Sequence, residues 1–113
     1  MLNQKTLKNQ VFEAVKRIPE KKVVYFGLIA KVIGSNARSV GWILSGMRKE
    51  EWTEIAWYRV VAKNGFISSL KLGEKGLLQK ELLKQENYKI VQDFVDMQKH
   101  CLTLEELEDL IEL

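Results

Sequence analysis

The sequence has few of the residues that build disulfide frameworks, metal centres or flexible linkers. It contains one cysteine, Cys101, one histidine, His100, one proline and seven glycines. A single cysteine excludes an intrachain disulfide, which is in keeping with a reducing compartment. Because His100 and Cys101 are adjacent and lack the spacing of metal ligands, we predict no metal and no cofactor.

Long apolar runs are also missing. No stretch approaches the length of a membrane span, and charges interrupt the apolar positions near the N-terminus, which is unlike a signal peptide. We therefore expect a cytoplasmic protein with no membrane partner. The 113 residues suit one domain with a modest core, and we expect a monomer.

Charge is unevenly distributed along the chain. Residues 1–84 hold 16 Lys and Arg against 7 Asp and Glu, whereas residues 85–113 hold 2 against 8. A basic body suits a polyanion such as DNA, although a solubilising surface would have the same composition. The acidic tail could cover the core with its leucines, bind a repair partner, or fold over the basic surface as a DNA mimic. We favour the packing role.

Hydrophobic periodicity predicts a mainly helical chain. Gly34 separates two short helices in the manner of a helix-turn-helix, and Thr103 with Glu106 forms a capping box for the last helix. The Asn64-Gly65 pair predicts a β-hairpin between residues 60–61 and 66–67. Residues 22–25 are predicted to be extended and residues 48–54 to form a polar loop. The first predicted helix ends at Ile18, before Pro19. The other predicted helices cover 26–33, 37–44, 76–85, 90–98 and 104–113.

A series of short segments matches one family in chain order: IPEKKV at 18–23, YFGLIA at 25–30, ARSVG at 37–41, IAWYRVV at 55–61, NG at 64–65 and LLKQE at 82–86. Together, residues 9–88 resemble the C-terminal domain of the O6-alkylguanine DNA alkyltransferases. The resemblance implies a mainly α, winged helix-turn-helix-like single domain with a short β-hairpin. It places the DNA-binding domain in residues 1–88, with residues 89–113 as an acidic helical extension packed on it.

The main departure from the family lies at the nucleophile. The family transfers the alkyl group to a cysteine that is activated through a histidine and a carboxylate. Trp57 and Tyr58 stand at the cysteine and histidine positions, and Cys101 lies outside the motif. Glu86 keeps the carboxylate but is expected to have nothing to orient. We therefore predict that the chain is not an enzyme.

A tryptophan in place of the cysteine is also what the alkyltransferase-like proteins show. This resemblance implies binding to O6-alkylguanine by base flipping without repair, and a hand-over of the lesion to nucleotide excision repair proteins. The implied partner is double-stranded DNA that carries alkylated guanine.

The resemblance also assigns roles to individual residues. It implies that Arg38 fills the space of the flipped base, that small neighbours allow close approach to the minor groove, and that Phe26 replaces a tyrosine and lacks its hydroxyl. Each residue has a plainer interpretation as surface, helix packing or core. The implied DNA-contacting residues are Arg38, Phe26, Ala37, Ser39 and Gly41, and the implied lesion pocket comprises Trp57, Tyr58, Arg59, Tyr25 and Ser69.

Two other functions compete with lesion recognition. One is a helix-turn-helix regulator that kept the fold and lost the pocket, and the other is an alkyltransferase with unexpected chemistry. A protein that recognises lesions prefers alkylated to normal DNA, whereas the regulator would bind both alike. An alkyltransferase would gain mass covalently after mixing with methylated DNA.

Overall fold

A computed structural model describes residues 6–112, which form a mainly helical domain with two small sheets. Among the helices of this range, none combines the length and apolar character that a membrane crossing requires. The elements are α1 (Leu7–Lys16), β1 (Val24–Tyr25), α2 (Phe26–Ile33), α3 (Ala37–Ser45), β2 (Val60–Val61), α4 (Glu74–Gln85), β3 (Ile90–Val91), β4 (Phe94–Val95), α5 (Met97–His100) and α6 (Leu104–Glu112).

The turn between α2 and α3 forms as the sequence predicts. Gly34 ends α2 with a φ of 75°, in the left-handed region that favours glycine. The side-chain oxygen of Asn36 then accepts a 2.9 Å hydrogen bond from the backbone N–H of Ser39 and caps α3. Residues Lys49–Thr53, predicted as a loop, form a short 3-10 helix.

The predicted hairpin at Asn64-Gly65 is wrong in its pairing. The turn itself forms, because Gly65 adopts a φ of 94° and its N–H donates to the Ala62 carbonyl at 2.8 Å. However, β2 pairs in parallel with β1. One hairpin bond forms across the turn, from the Ala62 N–H to the Phe66 carbonyl at 3.0 Å, but the segment then bonds to the tail: the Ile67 N–H donates to the Asp93 carbonyl at 2.9 Å.

The helix predicted over residues 90–98 is also wrong. Strands β3 and β4 form an antiparallel hairpin there, and the short helix α5 follows it. Gln92 closes the turn with a φ of 56°, which a helix does not allow. The apolar residues of the two strands are β-branched or aromatic, so their strand preference outweighs a spacing that also fits one helical face.

The tail packs on the core of the preceding helices. Leu107 of α6 is fully buried in the cluster formed by α1, α2 and α3. The predicted capping box forms, with reciprocal hydrogen bonds of 2.8 and 3.1 Å between Thr103 and Glu106. Ahead of it, the Leu102 N–H donates to the Val23 carbonyl at 3.0 Å, which joins the tail to the segment before β1.

His100 holds the base of this tail. Its Nε2 accepts a 2.9 Å hydrogen bond from the Lys89 N–H, and its Nδ1 lies 2.7 Å from the Lys21 carbonyl, to which it donates. The ring is buried against Tyr88. Among residues 6–112, no group of three or more His, Cys, Asp and Glu side chains is arranged to hold a metal ion.

Candidate nucleic-acid interface

Helix α3 presents the residue that the sequence marks for insertion into the base stack. Arg38 is exposed in the first turn, and its guanidinium carbon lies 5.3 Å from the ring centroid of Trp42, one turn later. Trp42 is 67% exposed, which is unusual for so large an apolar side chain. The indole therefore supports a planar cation on the outer face of the helix.

The other small residues of α3 surround Arg38 on the surface. Ala37 is exposed, and Ser39 is half-buried at the cap made by Asn36. A Cβ added at Gly41 would meet no atom within 4 Å apart from its own helix and chain neighbours. Helix packing, the plainer explanation for Gly41, is therefore not what places a glycine there.

A cavity of about 290 Å³ opens beside Gly41, and we call it the Trp57 cavity. Its walls come from α2, α3, α4 and the 3-10 helix Ser68–Leu72. The surface that it exposes is mainly apolar, as is usual for small-molecule sites, although polar side chains also line it. Its lining includes Phe26, Gly41, Trp57, Ser69, Lys75 and Gln79.

Trp57 is held rigidly in this cavity. It is only 4% exposed, and its indole N–H donates a 3.0 Å hydrogen bond to the Trp52 carbonyl. The Trp52 ring lies 5.8 Å away, centroid to centroid. With its one donor satisfied, Trp57 presents an apolar aromatic surface to whatever enters the cavity.

Tyr58 does not share the cavity with Trp57. Its hydroxyl donates a 2.6 Å hydrogen bond to Oε2 of Glu86, and its ring lines a separate surface groove with Trp52 and Leu82. Burial, and then the bond to Glu86, raise the pKa of Tyr58. The interpretation that Glu86 has nothing to orient is wrong, since this carboxylate fixes the Tyr58 side chain.

Arg59 completes this arrangement, which we call the Arg59 cluster: Tyr58, Arg59 and Glu86. The guanidinium of Arg59 donates to Glu86 at 2.9, 3.0 and 3.2 Å and to the Ile18 carbonyl at 2.7 Å. Burial acts to raise the pKa of Glu86, but the hydrogen bonds from Arg59 and Tyr58 outweigh it and hold that pKa below its usual value. Arg59 therefore ties β2 to the end of α1 and of α4.

The remaining predicted residues lie on either side of the cavity. Tyr25 and Ala37 line a shallow neighbouring groove together with Lys31 and Lys63, and Phe26 borders both that groove and the Trp57 cavity. The groove combines aromatic and cationic side chains, which suits contact with a nucleic-acid backbone. Phe26 thus lies between this groove and the Trp57 cavity.

Ser69 is in the cavity wall, and it leads to a residue that the sequence analysis missed. Its hydroxyl bonds to the amide oxygen of Gln79, whose Nε2 donates at 3.0 Å to the carbonyls of both Tyr58 and Val60. Gln79 is fully buried and fastens α4 to the segment that carries Trp57. Lys75, one turn earlier in α4, is also buried in the wall and was also missed.

The family model for the DNA-binding domain of 6-O-methylguanine DNA methyltransferase matches residues 6–88. The chain belongs to this family. Alkyltransferase-like protein 1 of Schizosaccharomyces pombe is 35% identical over 85 residues, which cover 74% of this chain and 77% of that protein. The DNA base-flipping protein of Escherichia coli is 37% identical over 70 residues, and the matched part spans about half of its length (53%) and 60% of this chain.

Solved structures agree with the fold. The Schizosaccharomyces pombe protein Atl1, crystallised with damaged DNA that contains O6-carboxymethylguanine, superposes with a TM-score of 0.76 at 28% identity. That match covers 85% of this chain and 94% of the other. A second crystal structure of the Schizosaccharomyces pombe protein with DNA gives a TM-score of 0.67 over 94% of this chain and 96% of the other. The resemblance seen in the sequence motifs is confirmed.

Proposed function

We propose that this chain binds duplex DNA, turns an O6-alkylguanine out of the stack into the Trp57 cavity, and marks it for nucleotide excision repair without removing the alkyl group. The observation that carries the proposal is the position of Trp57. Trp57, which the sequence motif aligns with the family's nucleophile, forms an aromatic wall of a cavity that α3, the helix of Arg38, also lines. Such a wall can stack on a base and contact an alkyl group.

The relatives support the DNA partner. Their names and complexes concern base flipping and damaged DNA, and the residues that would do this here lie together. Arg38 lies on the exposed face of α3, and the neighbouring residue Ala37 lines a groove with Lys31 and Lys63, which could contact phosphates. The proposal includes nucleotide excision repair proteins that recognise the complex of this chain with DNA. We expect the chain to act as a monomer.

The chemistry of the residues argues against alkyl transfer. The indole of Trp57 has no thiolate that could attack the alkyl group. The Tyr58 hydroxyl donates a hydrogen bond to Glu86 and so is not placed as a base. Cys101 lies in the tail, donates its S–H to the Leu102 carbonyl, and has a pKa raised mainly by burial. A half-buried thiol with a raised pKa is a poor nucleophile.

Fluorescence anisotropy with two matched duplexes tests the proposal. One carries a single O6-methylguanine, and the other carries guanine at that position. We expect tighter binding to the lesion. Equal binding would favour the alternative, a helix-turn-helix DNA-binding protein that has lost lesion recognition.

The variant Arg38→Ala removes the residue proposed to occupy the space of the flipped base. We expect its affinity for the lesion duplex to fall at least about tenfold, because unstacking costs a few kcal/mol that no other side chain would offset. Its unfolding midpoint should be unchanged, since Arg38 is exposed. Wild-type affinity in this variant would remove Arg38 from the mechanism.

Mass spectrometry separates binding from transfer. The wild-type protein should gain no mass after incubation with O6-methylguanine DNA. Trp57→Cys should remain nearly inactive in single-turnover transfer, because Tyr58 cannot act as the base near neutral pH. Rapid methyl transfer by that variant would contradict our account of the site.

A further inference from the structure

Lys75 is a buried cation in the Trp57 cavity with no anionic partner among residues 6–112. It is 7% exposed, and its ammonium donates a 2.6 Å hydrogen bond to the Leu44 carbonyl. Within residues 6–112, no carboxylate oxygen lies within 4.0 Å of its Nζ. The neighbouring Glu74 is paired with Lys49 at 3.0 Å on the surface.

The surroundings of this ammonium are apolar and aromatic. Its Nζ lies 5.0 Å from the ring centroid of Trp57 and 5.6 Å from that of Trp52. Leu44 and Trp57 both line the cavity, so the charge lies between two of its walls. Desolvation lowers the pKa of Lys75, as expected for a cation that lacks a counter-charge.

An uncompensated buried charge is costly, and a ligand that carries the opposite charge would offset this cost. A neutral alkyl group leaves the ammonium as it is. A carboxylate at the end of the O6 substituent would accept a charge-assisted hydrogen bond from this buried ammonium. Lys71 at the edge of the cavity adds positive potential in the same direction.

We infer that Lys75 makes the Trp57 cavity selective for O6-alkyl substituents that end in a carboxylate. The inference rests on the proposed function, because the alkylated base must enter this cavity. It assigns to α4 a specificity-determining residue that the aligned motifs do not contain.

Three matched duplexes test the inference by anisotropy. They carry guanine, O6-carboxymethylguanine or O6-carbamoylmethylguanine at one position, and the last two substituents have the same shape but differ in charge. We expect the wild-type protein to bind the carboxymethyl duplex roughly tenfold more tightly than the carbamoylmethyl duplex. Equal affinity for the two lesions would overturn the inference.

Lys75→Met tests whether Lys75 causes the preference for the carboxymethyl lesion, because it approximately keeps the length of the side chain and removes the charge. We expect this variant to bind the two lesions equally. Lys71→Met is the matched control, since Lys71 is exposed at the rim, and it should keep most of the preference. A preference retained by Lys75→Met would overturn the assignment to Lys75.

The same data separate this inference from the proposed function. If both lesions bind more tightly than guanine but equally to each other, lesion recognition stands and charge selection fails. If neither lesion binds more tightly than guanine, the proposed function fails and the inference fails with it. The wild-type comparison needs no variant, so a folding defect in Lys75→Met would not obscure the result.

Discussion

Two cations with little solvent exposure, Arg59 and Lys75, differ in the partners that surround them. Arg59 makes three hydrogen bonds to Glu86 and one to a backbone carbonyl, whereas Lys75 has one carbonyl and two aromatic faces. The first arrangement commits most of the guanidinium N–H donors within the protein and ties chain segments together. The second leaves a charge available in a cavity. Adjacent residues, Trp57 and Tyr58, thus belong to two regions with different tasks.

Under the proposed function, motif position 57 serves binding and position 58 serves stability. Trp57 faces the cavity, and Tyr58 points to the Arg59 cluster. We therefore expect changes in the cluster to alter the free energy of unfolding and changes in the cavity to alter lesion preference.

The largest effect is expected for Glu86→Gln. The substitution leaves Arg59 buried without a counter-charge, so we expect the free energy of unfolding to fall by about 2–4 kcal/mol. Urea denaturation measures it, and Glu81→Gln, at an exposed position of α4, is the control. A loss below that of the control would show that the cluster does not stabilise the fold.

The contribution of Glu86 should also depend on pH. Its pKa is lowered in the folded protein from a usual value of 4.5, so the stabilisation is complete above that value and is lost as the pH falls through the lower folded pKa. The difference in unfolding free energy between wild type and Glu86→Gln should therefore be largest near neutrality and shrink below pH 4.5. A difference that is constant from pH 7 to acid would contradict the assigned ion pair.

A smaller effect is expected for Tyr58→Phe. Loss of the hydroxyl removes one hydrogen bond to a carboxylate, which should lower the free energy of unfolding by about 1–2 kcal/mol. The ratio of affinities for lesion and normal DNA should not change, because Tyr58 lies outside the Trp57 cavity. A lower ratio, measured by anisotropy, would return Tyr58 to the lesion pocket.

The smallest effect, and the only stabilising one, is expected for Gly41→Ala. Alanine is the better helix former by about 1 kcal/mol, and its Cβ meets no neighbouring atom. The added methyl group narrows the cavity, so lesion preference should fall a few-fold while the unfolding midpoint in urea rises. Higher stability with unchanged preference would mean that the base does not approach Gly41.

Local signals predicted the part of the fold that presents Arg38. Gly34 and Asn36 act within one turn of the chain, and therefore the bounds of α2 and the start of α3 followed from the sequence. Residues 90–95 were misassigned because their apolar spacing fits both periods, and the strand pairing depends on contacts with the distant residues Gly65 and Ile67.

The site was predicted in part. Family motifs pointed to Trp57 and Ser69, both of which line the cavity. Lys75 and Gln79 were missed because a polar residue on an amphipathic helix is normally exposed, and only the packing of α4 against the Trp57 segment buries them. The role of Glu86 was missed since its partners are 27 and 28 residues earlier in the chain.

The most direct test of base flipping uses a fluorescent neighbour of the lesion. A duplex with 2-aminopurine next to a single O6-methylguanine reports unstacking at that step. Our account predicts that the wild-type protein raises the 2-aminopurine fluorescence of the lesion duplex, leaves that of the guanine duplex unchanged, and loses this effect in Arg38→Ala. Saturating binding to the lesion duplex with no change in fluorescence would contradict entry of the base into the Trp57 cavity.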